Sequence, residues 1–480
     1  MNASASSQRV EFQERARQAL SDVSLQRAMA KARGGFVDHR RDAVDALPEF
    51  DAIRDAARDI KDHVLANLDG YLELYEQKVI ENGGQVHWAR DADEACRIVA
   101  KICQDAEAKT VTKGKSMVSE EIHLNPVLEA AGMTVVETDL GEYIVQLAGE
   151  TPSHIIAPAV HKTREQITDL FHEHHSPLGY TDRVTQREAL VNEARSVLRE
   201  RFVAADVGIT GANFLVAETG ANVIVTNEGN GDLTSCLPRV HIVTAGIEKV
   251  IPSLDDLSVL LRVLARSATG QEFSAYTSLY SGPRRTDEME GPEAYHVVLL
   301  DNGRSRLLGG QYQPMLRCIR CGACLNHCPV YGATGRDAYG WVYSGPMGAV
   351  LTPLLNGFDQ AMDLPNACTV NGKCKEVCPV RIPLSDLLLK HRLEQHDRRL
   401  NTLFGRFLLS AWAWLARRPR MYQGVMALPL WLMHRLGKRR GVLSRLPGLG
   451  GWTDSRDFPI PARRSFLRQW HSRKARSRRR

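Results

Sequence analysis

Seven of the ten cysteines fall between residues 318 and 378. Cys318-Ile-Arg-Cys321-Gly-Ala-Cys324-Leu-Asn-His-Cys328-Pro329 reads C-x2-C-x2-C-x3-C-P without a departure. In this run, as bacterial two-cluster iron-sulfur proteins use it, the first three thiolates hold one [4Fe-4S] cluster and the fourth reaches across to another. The x2 spacings make tight loops that let successive sulfurs converge on one cubane. Gly322 relieves crowding where backbone amides approach the inorganic sulfides. Pro329 offers no amide donor and a fixed φ, and so turns the chain away.

A second run is imperfect: Cys368-Thr-Val-Asn371-Gly-Lys-Cys374-Lys-Glu-Val-Cys378-Pro379. In the same frame Asn371 takes the second ligand position, leaving three sulfurs of four. The crossed-ligand rule then assigns Cys318, Cys321, Cys324 and Cys378 to cluster one, a [4Fe-4S] cluster, and Cys328, Cys368 and Cys374 to cluster two. Cluster two is [4Fe-4S], with a fourth ligand from Asn371, His327 or water, or it is [3Fe-4S]. A four-thiolate zinc site also uses C-x2-C pairs, but it needs neither a third cysteine at x2 nor a fourth followed by proline in both halves. Cys96 and Cys103, on one helical face, and Cys236 read as structural residues, since a free cysteine behaves as a small hydrophobe.

These motifs need elements to hold them. The 39 residues between Cys328 and Cys368 are many for a hairpin-built ferredoxin. They contain helix-compatible segments at 349–355 and 358–362, with another at 384–395, so residues 307–395 are expected to form an all-helical ferredoxin module. Upstream, residues 1–50 read as a helical N-terminal arm. Residues 51–306 alternate β-rich runs (85–88, 110–112, 134–138, 154–156) with helical stretches (91–107, 119–131, 164–174, 187–202), which predicts an α/β domain with a largely parallel sheet. Ile53, Ala56, Ile60, Val64 and Leu68 fall at helical spacing.

The remaining region, 396–480, is basic and partly apolar. Residues 381–480 hold 24 Lys and Arg against 5 Asp and Glu, while the other 380 residues are net acidic by 13 charges. An acidic body with a basic tail points to an anionic partner. The apolar runs 407–416 and 424–433, the second interrupted by Pro429, fall short of the ~20 residues that span a bilayer. They read as interfacial or docking helices ahead of a disordered Arg-rich end. The sequence lacks the aromatic-basic interleaving and recognition helix of a nucleic-acid binder. The first residues have no apolar leader, so the expected location is the cytoplasm, with an anionic membrane surface on the inner face of the cell membrane as a partner of the tail.

Within the α/β domain Lys113, Lys115 and Ser116, between a strand and a helix, could present cations and amides to a phosphate or carboxylate. Glu218, at a strand end, is a second candidate contact. The alternative is a solvated turn for the lysines and a backbone-paired Glu218. No dinucleotide fingerprint or Walker loop is present, and no catalytic residue is assigned.

The run CIRCGACLNHCPVYGATG, with KGKSMVSEEIHLN, GITGANFLVAETG and TNEGNGDL upstream, resembles the lactate utilisation protein B family over roughly residues 60–440. The resemblance implies a sugar-phosphate isomerase/CoA-transferase-like α/β domain, a helical ferredoxin module and a family-specific tail. It also implies an electron carrier in the oxidation of L-lactate to pyruvate, working with companion lactate utilisation proteins. By position the ligands carried over are the four cysteines of the first run with Cys374 and Cys378. The family pattern has cysteine at the place of Asn371 and often a small polar residue at that of Cys368, so here a ligand has moved three residues back. The alternative function is an enzyme in its own right, binding a hydroxy or keto acid at the α/β domain or at an incompletely ligated cluster.

Overall fold

The computed structural model describes residues 12–446, 453 and 456–477. The extreme N-terminus, with the expectation of a leaderless start, and the last three arginines lie outside the described residues. The expected disordered Arg-rich end is corrected as far as Ser477, because residues 473–477 belong to a helix, Phe466–Ser477. Two compact units divide at Leu393/Glu394.

In the first unit ten strands follow in chain order: β1 Gln85–Ala89, β2 Thr110–Lys113, β3 Thr134–Glu137, β4 Val207–Gly211, β5 Phe214–Val216, β6 Ala221–Thr226, β7 Val240–Gly246, β8 Val250–Ile251, β9 Tyr276–Tyr280 and β10 Ala294–Leu300. Six form a sheet in the order β1-β10-β7-β4-β2-β3, parallel at every pairing. All seven residues of β7 are buried. That is the burial expected of a strand covered on both faces, and its VHIVTAG run has no polar alternation for the same reason. The other four strands make a smaller sheet, β8-β5-β6-β9. Its β5 and β6 are an antiparallel pair turned at Gly220, whose φ of 69° suits glycine.

Helices fill the gaps as the apolar spacing predicts. Ala92–Asp105 starts at Asp91, whose carboxylate accepts from the Glu94 amide, and buries Ala95, Cys96, Val99, Ile102 and Cys103. Cys96 and Cys103 are therefore core residues, as expected. Three further expectations are corrected. The stretch 119–131 is two helices, Met117–Glu121 and Leu124–Ala130, broken at His123 with φ 53°. Residues 154–156 form bends and no strand, because they lie against the cysteine region: His154 Nε2 is 2.8 Å from Asn326 Oδ1. Pro429 interrupts nothing, since one helix runs Pro419–Gly437 through it.

Beyond β10 the described residues of the first unit form short helices and turns around one longer helix, Gly345–Asn356, as far as Leu384, where a second longer helix begins. One continuous core joins this cysteine-bearing region to the N-terminal helices and to the smaller sheet, through Phe12, Met29, Phe50, Val216, Val263, Tyr339, Val350 and Leu388. Phe12 meets Tyr339 edge-on at 5.3 Å between ring centroids.

The second unit carries Leu403–Ala416, which buries no residue, Pro419–Gly437, and a short strand pair, Val442–Leu443 with Phe458–Pro459. Phe407 is 68% exposed and Trp412 59%. Among the described residues no helix is long and apolar enough to cross a membrane.

Candidate metal centre

Each cysteine run is built on the same pieces. A 3-10 turn, Gln313–Arg317, delivers Cys318, and a short helix, Ala323–Asn326, carries Cys324 up to Cys328. Correspondingly, Leu364–Ala367 delivers Cys368, and Lys373–Val377 carries Cys374 up to Cys378. The loops between match in backbone as well: Arg320 and Gly322 have φ of 59° and 74°, Val370 and Gly372 have 56° and 79°. Left-handed backbone at a valine or arginine is uncommon, so its recurrence at equivalent positions marks one loop design used twice. In the first loop the Ala323 amide donates to the Cys321 sulfur. In the second, the Lys373 amide donates to Asn371 Oδ1 at 3.1 Å. Asn371 thus stands where the second thiol of the first run stands.

Gly322 has a further reason to be glycine. A Cβ there would come within 2.9 Å of Ile156 Cδ1, so the residue also lets the 154–156 segment close over the loop.

The folding of the two loops against each other sorts the seven thiols into two groups. Cys318, Cys321, Cys324 and Cys378 line a cavity of about 20 Å³, walled by Ile155, Leu325, Met347 and Ile382. Cys328, Cys368 and Cys374 are mutual neighbours beside Tyr339. Cys374 in turn neighbours Cys324, so the two groups adjoin. Among the described residues no three His, Cys, Asp or Glu side chains close on a point that would hold a single metal ion. Thiols set apart around a small volume are what a cubane, with iron at separate corners, requires.

The surroundings suit an iron-sulfur group. Burial, reinforced by neighbouring thiols, pushes Cys321 and Cys374 up to about 12 and Cys378 up to about 11. Such thiols do not ionise unaided at neutral pH, and bonding to iron supplies the missing stabilisation. Backbone amides already point at sulfur: Val370 to Cys368 at 3.2 Å, Ile382 to Cys378 at 3.3 Å and Tyr331 to Cys328 at 3.4 Å. Cations come from far along the chain. Arg54 donates to the carbonyls of Cys378 and Glu376, and Arg40 to that of Val377. Arg392 holds the second loop through Pro365 O and Cys368 O. None of these arginines was marked by sequence pattern, because their partners lie up to 337 residues away. His327 donates from Nδ1 to Ala323 O at 2.9 Å.

The α/β candidates separate. Lys113 is buried and paired with Glu137 at 2.8 Å, which rules out a solvated turn for it. Glu218 is exposed and accepts from the Leu254 amide at 3.1 Å, which matches the backbone-paired alternative. Lys115 and Ser116 instead line a cavity of about 260 Å³ whose opposite wall includes Arg320 and Cys321.

Known proteins show the same order of parts. The family model for the LUD domain matches residues 72–300, that for a 4Fe-4S dicluster domain matches 314–382, and the lactate utilisation protein B C-terminal model matches 393–475. The chain is 43% identical over 463 residues to Lactate utilization protein B of Macrococcus caseolyticus, covering 96% of each. It is 43% identical over 464 residues to that of Bacillus pumilus, again 96% of each. An uncharacterized electron transport protein of Escherichia coli, YkgF, is 41% identical over 464 residues, 96% of each. A crystal structure of a duf162 family protein from Deinococcus radiodurans covers 48% of this chain and 98% of its own at 13% identity. Its TM-score of 0.27 is too low to bear on the fold.

Proposed function

The chain belongs to the lactate utilisation protein B family, and from that premise we propose that it is the iron-sulfur electron carrier of a system oxidising L-lactate to pyruvate with companion lactate utilisation proteins. A role in lactate utilisation follows from membership, as does a 4Fe-4S dicluster domain. The observation that carries the finer reading is the doubled loop, which gathers the thiols four and three at adjoining sites.

On this reading Cys318, Cys321, Cys324 and Cys378 hold cluster one, a [4Fe-4S] cluster. Cys328, Cys368 and Cys374 hold cluster two, as [4Fe-4S] with a non-thiolate ligand or as [3Fe-4S]. Bound clusters supply one-electron chemistry. The chain's own residues fix the thiols, exclude water with Ile155, Leu325, Met347 and Ile382, and aim amides and arginines at negative charge. The adjoining of Cys324 and Cys374 favours passage of an electron between the two sites. The α/β domain takes the sugar-phosphate isomerase/CoA-transferase-like arrangement, a reading supported by six parallel strands. The chain functions in the cytoplasm, and its basic tail docks on an anionic surface at the inner face of the cell membrane. That is supported by Trp412, Trp414 and Phe407, all exposed on one helix bounded by Arg406, Arg417 and Arg418.

The test is iron and acid-labile sulfide analysis with EPR on anaerobically purified full-length protein. Two clusters of unequal character are expected. A lactate assay with soluble dye on the same sample should show no pyruvate until the companions are added. Turnover by the single chain would overturn the carrier reading in favour of an enzyme.

A further inference from the structure

The cavity of about 260 Å³ lies beyond the carboxyl ends of β2, β4 and β7, whose Gly114-Lys115-Ser116, Thr210-Gly211 and Thr244 line it. The order in which strands are added reverses at this point of the sheet: β3 lies to one side of β2, and β4, β7 and β10 to the other. In parallel sheets such switch points open a crevice in which ligands bind. Here the crevice is roofed by the loop of cluster one, since Arg320, Cys321 and Tyr343 also line it.

Three cations face this space, and they differ in what already engages them. Lys115 donates to Ile156 O at 2.9 Å. Arg320 stacks on Tyr343, 4.3 Å from the ring centroid, and lies 3.5 Å from Glu248. Lys249 is only 8% exposed, yet its ammonium has no hydrogen bond or ion pair among the described residues. Its neighbours are Arg320, Glu248 and the Cys318 thiol, and the carboxylate of Glu248 is already committed to Arg304 at 2.8 Å. The Lys249 ammonium faces the cavity with no protein partner among the described residues, so an anionic ligand there can pair with it. Asp139 and Glu228 stand elsewhere on the lining, and Ile224 and Leu264 give it an apolar side.

We propose that this cavity binds a small monocarboxylate, held by Lys249 and Arg320 against the loop of cluster one. With one cation uncommitted, charge balance favours a monoanion over a dianionic phosphate. The hydroxyls of Ser116 and Thr244, 3.2 Å from each other, suit a polar substituent next to the carboxylate. The apolar side takes the carbon chain. The site goes beyond electron carriage and does not rest on it, because neither the companions nor the electron acceptor enters its geometry.

Pyruvate and inorganic phosphate, titrated separately by calorimetry into the anaerobic full-length protein with its clusters in place, test the site. Saturable binding of pyruvate, with phosphate weaker by about tenfold or more, is expected. Lys249→Met should weaken pyruvate by about tenfold or more, equivalent to about 1.4 kcal/mol. Ala268→Leu, which fills the lining and leaves every charge in place, should do the same, with iron content unchanged in both. Pyruvate should also alter the EPR line shape of cluster one, because Cys321 forms part of the wall. Absence of pyruvate binding, equal affinity for phosphate, or undiminished pyruvate affinity in Ala268→Leu overturns the proposal. If Lys249→Met changes only the cluster EPR, Lys249 serves the cluster alone and the proposal is likewise overturned.

Discussion

At the scale of single residues, Asn371 is the most informative departure. Its carbonyl oxygen accepts the amide bond that the Cys321 sulfur accepts in the first loop, so a thiol placed there has the backbone it needs. Asn371→Cys is expected to turn any [3Fe-4S] EPR signal into a [4Fe-4S] one, and Cys321→Ser to remove cluster one while the signal of cluster two persists. Retention of both clusters in Cys368→Ser would show that Cys368 is not a ligand. The spacing alone made Asn371 legible, whereas Arg54 was not, for it sits in an ordinary amphipathic helix. It holds two carbonyls of the second run, and loss of a partner by a buried polar group costs about 1–3 kcal/mol. Arg54→Met should therefore lower stability in urea by about that amount per carbonyl and make cluster one the first lost on titration with chelator.

Between elements, a chain of buried charges ties the parallel sheet to the loop of cluster one. Arg304 pairs with Glu121 at 2.6 Å and with Glu248 at 2.8 Å, and the Tyr343 hydroxyl donates to Glu121. Burial works against the charge on Glu248, but Arg304, Arg320 and Lys249 outweigh it and hold its carboxyl down at about 2. A carboxyl depressed on folding contributes stability above its ordinary value of 4.5, and that contribution is lost as pH falls from there towards 2. Acid unfolding followed by circular dichroism should accordingly steepen over this window. Arg304→Met, which removes the cation shared by two buried carboxylates, should destabilise the protein by about 3–5 kcal/mol at neutral pH, with less penalty in acid. The sequence could show the parallel strands, because apolar runs between helices are local. It could not show the sheet of β5, β6, β8 and β9, where β9 joins β6 from 50 residues on, nor that residues 154–156 leave strand geometry to cover a distant loop. Both depend on partners that periodicity does not report.

For the molecule as a whole, charge is segregated by position in the chain. Each basic residue near an anionic leaflet contributes about 1 kcal/mol, fading within a Debye length. Co-sedimentation of the full-length protein with vesicles containing anionic lipid should thus be strong at low salt and reversed by high salt. A chain ending near Ile460, which lacks nine Lys and Arg, should bind less. Failure of the full chain to sediment at low salt would move the tail to a protein interface.

The bond between Arg54 and the carbonyl of Cys378 spans 324 residues, and the core that includes Phe12 and Phe50 is completed only by residues as late as Leu388. During synthesis the first helices must wait for nearly the whole unit before their apolar face has anything to cover it, and contacts of such separation close slowly. Iron loading then becomes the event that locks the earliest-made segment in place. A chain starved of iron should be cut by protease within residues 12–49 well before the parallel sheet is attacked, which gives the cell a means of removing copies that never received their clusters.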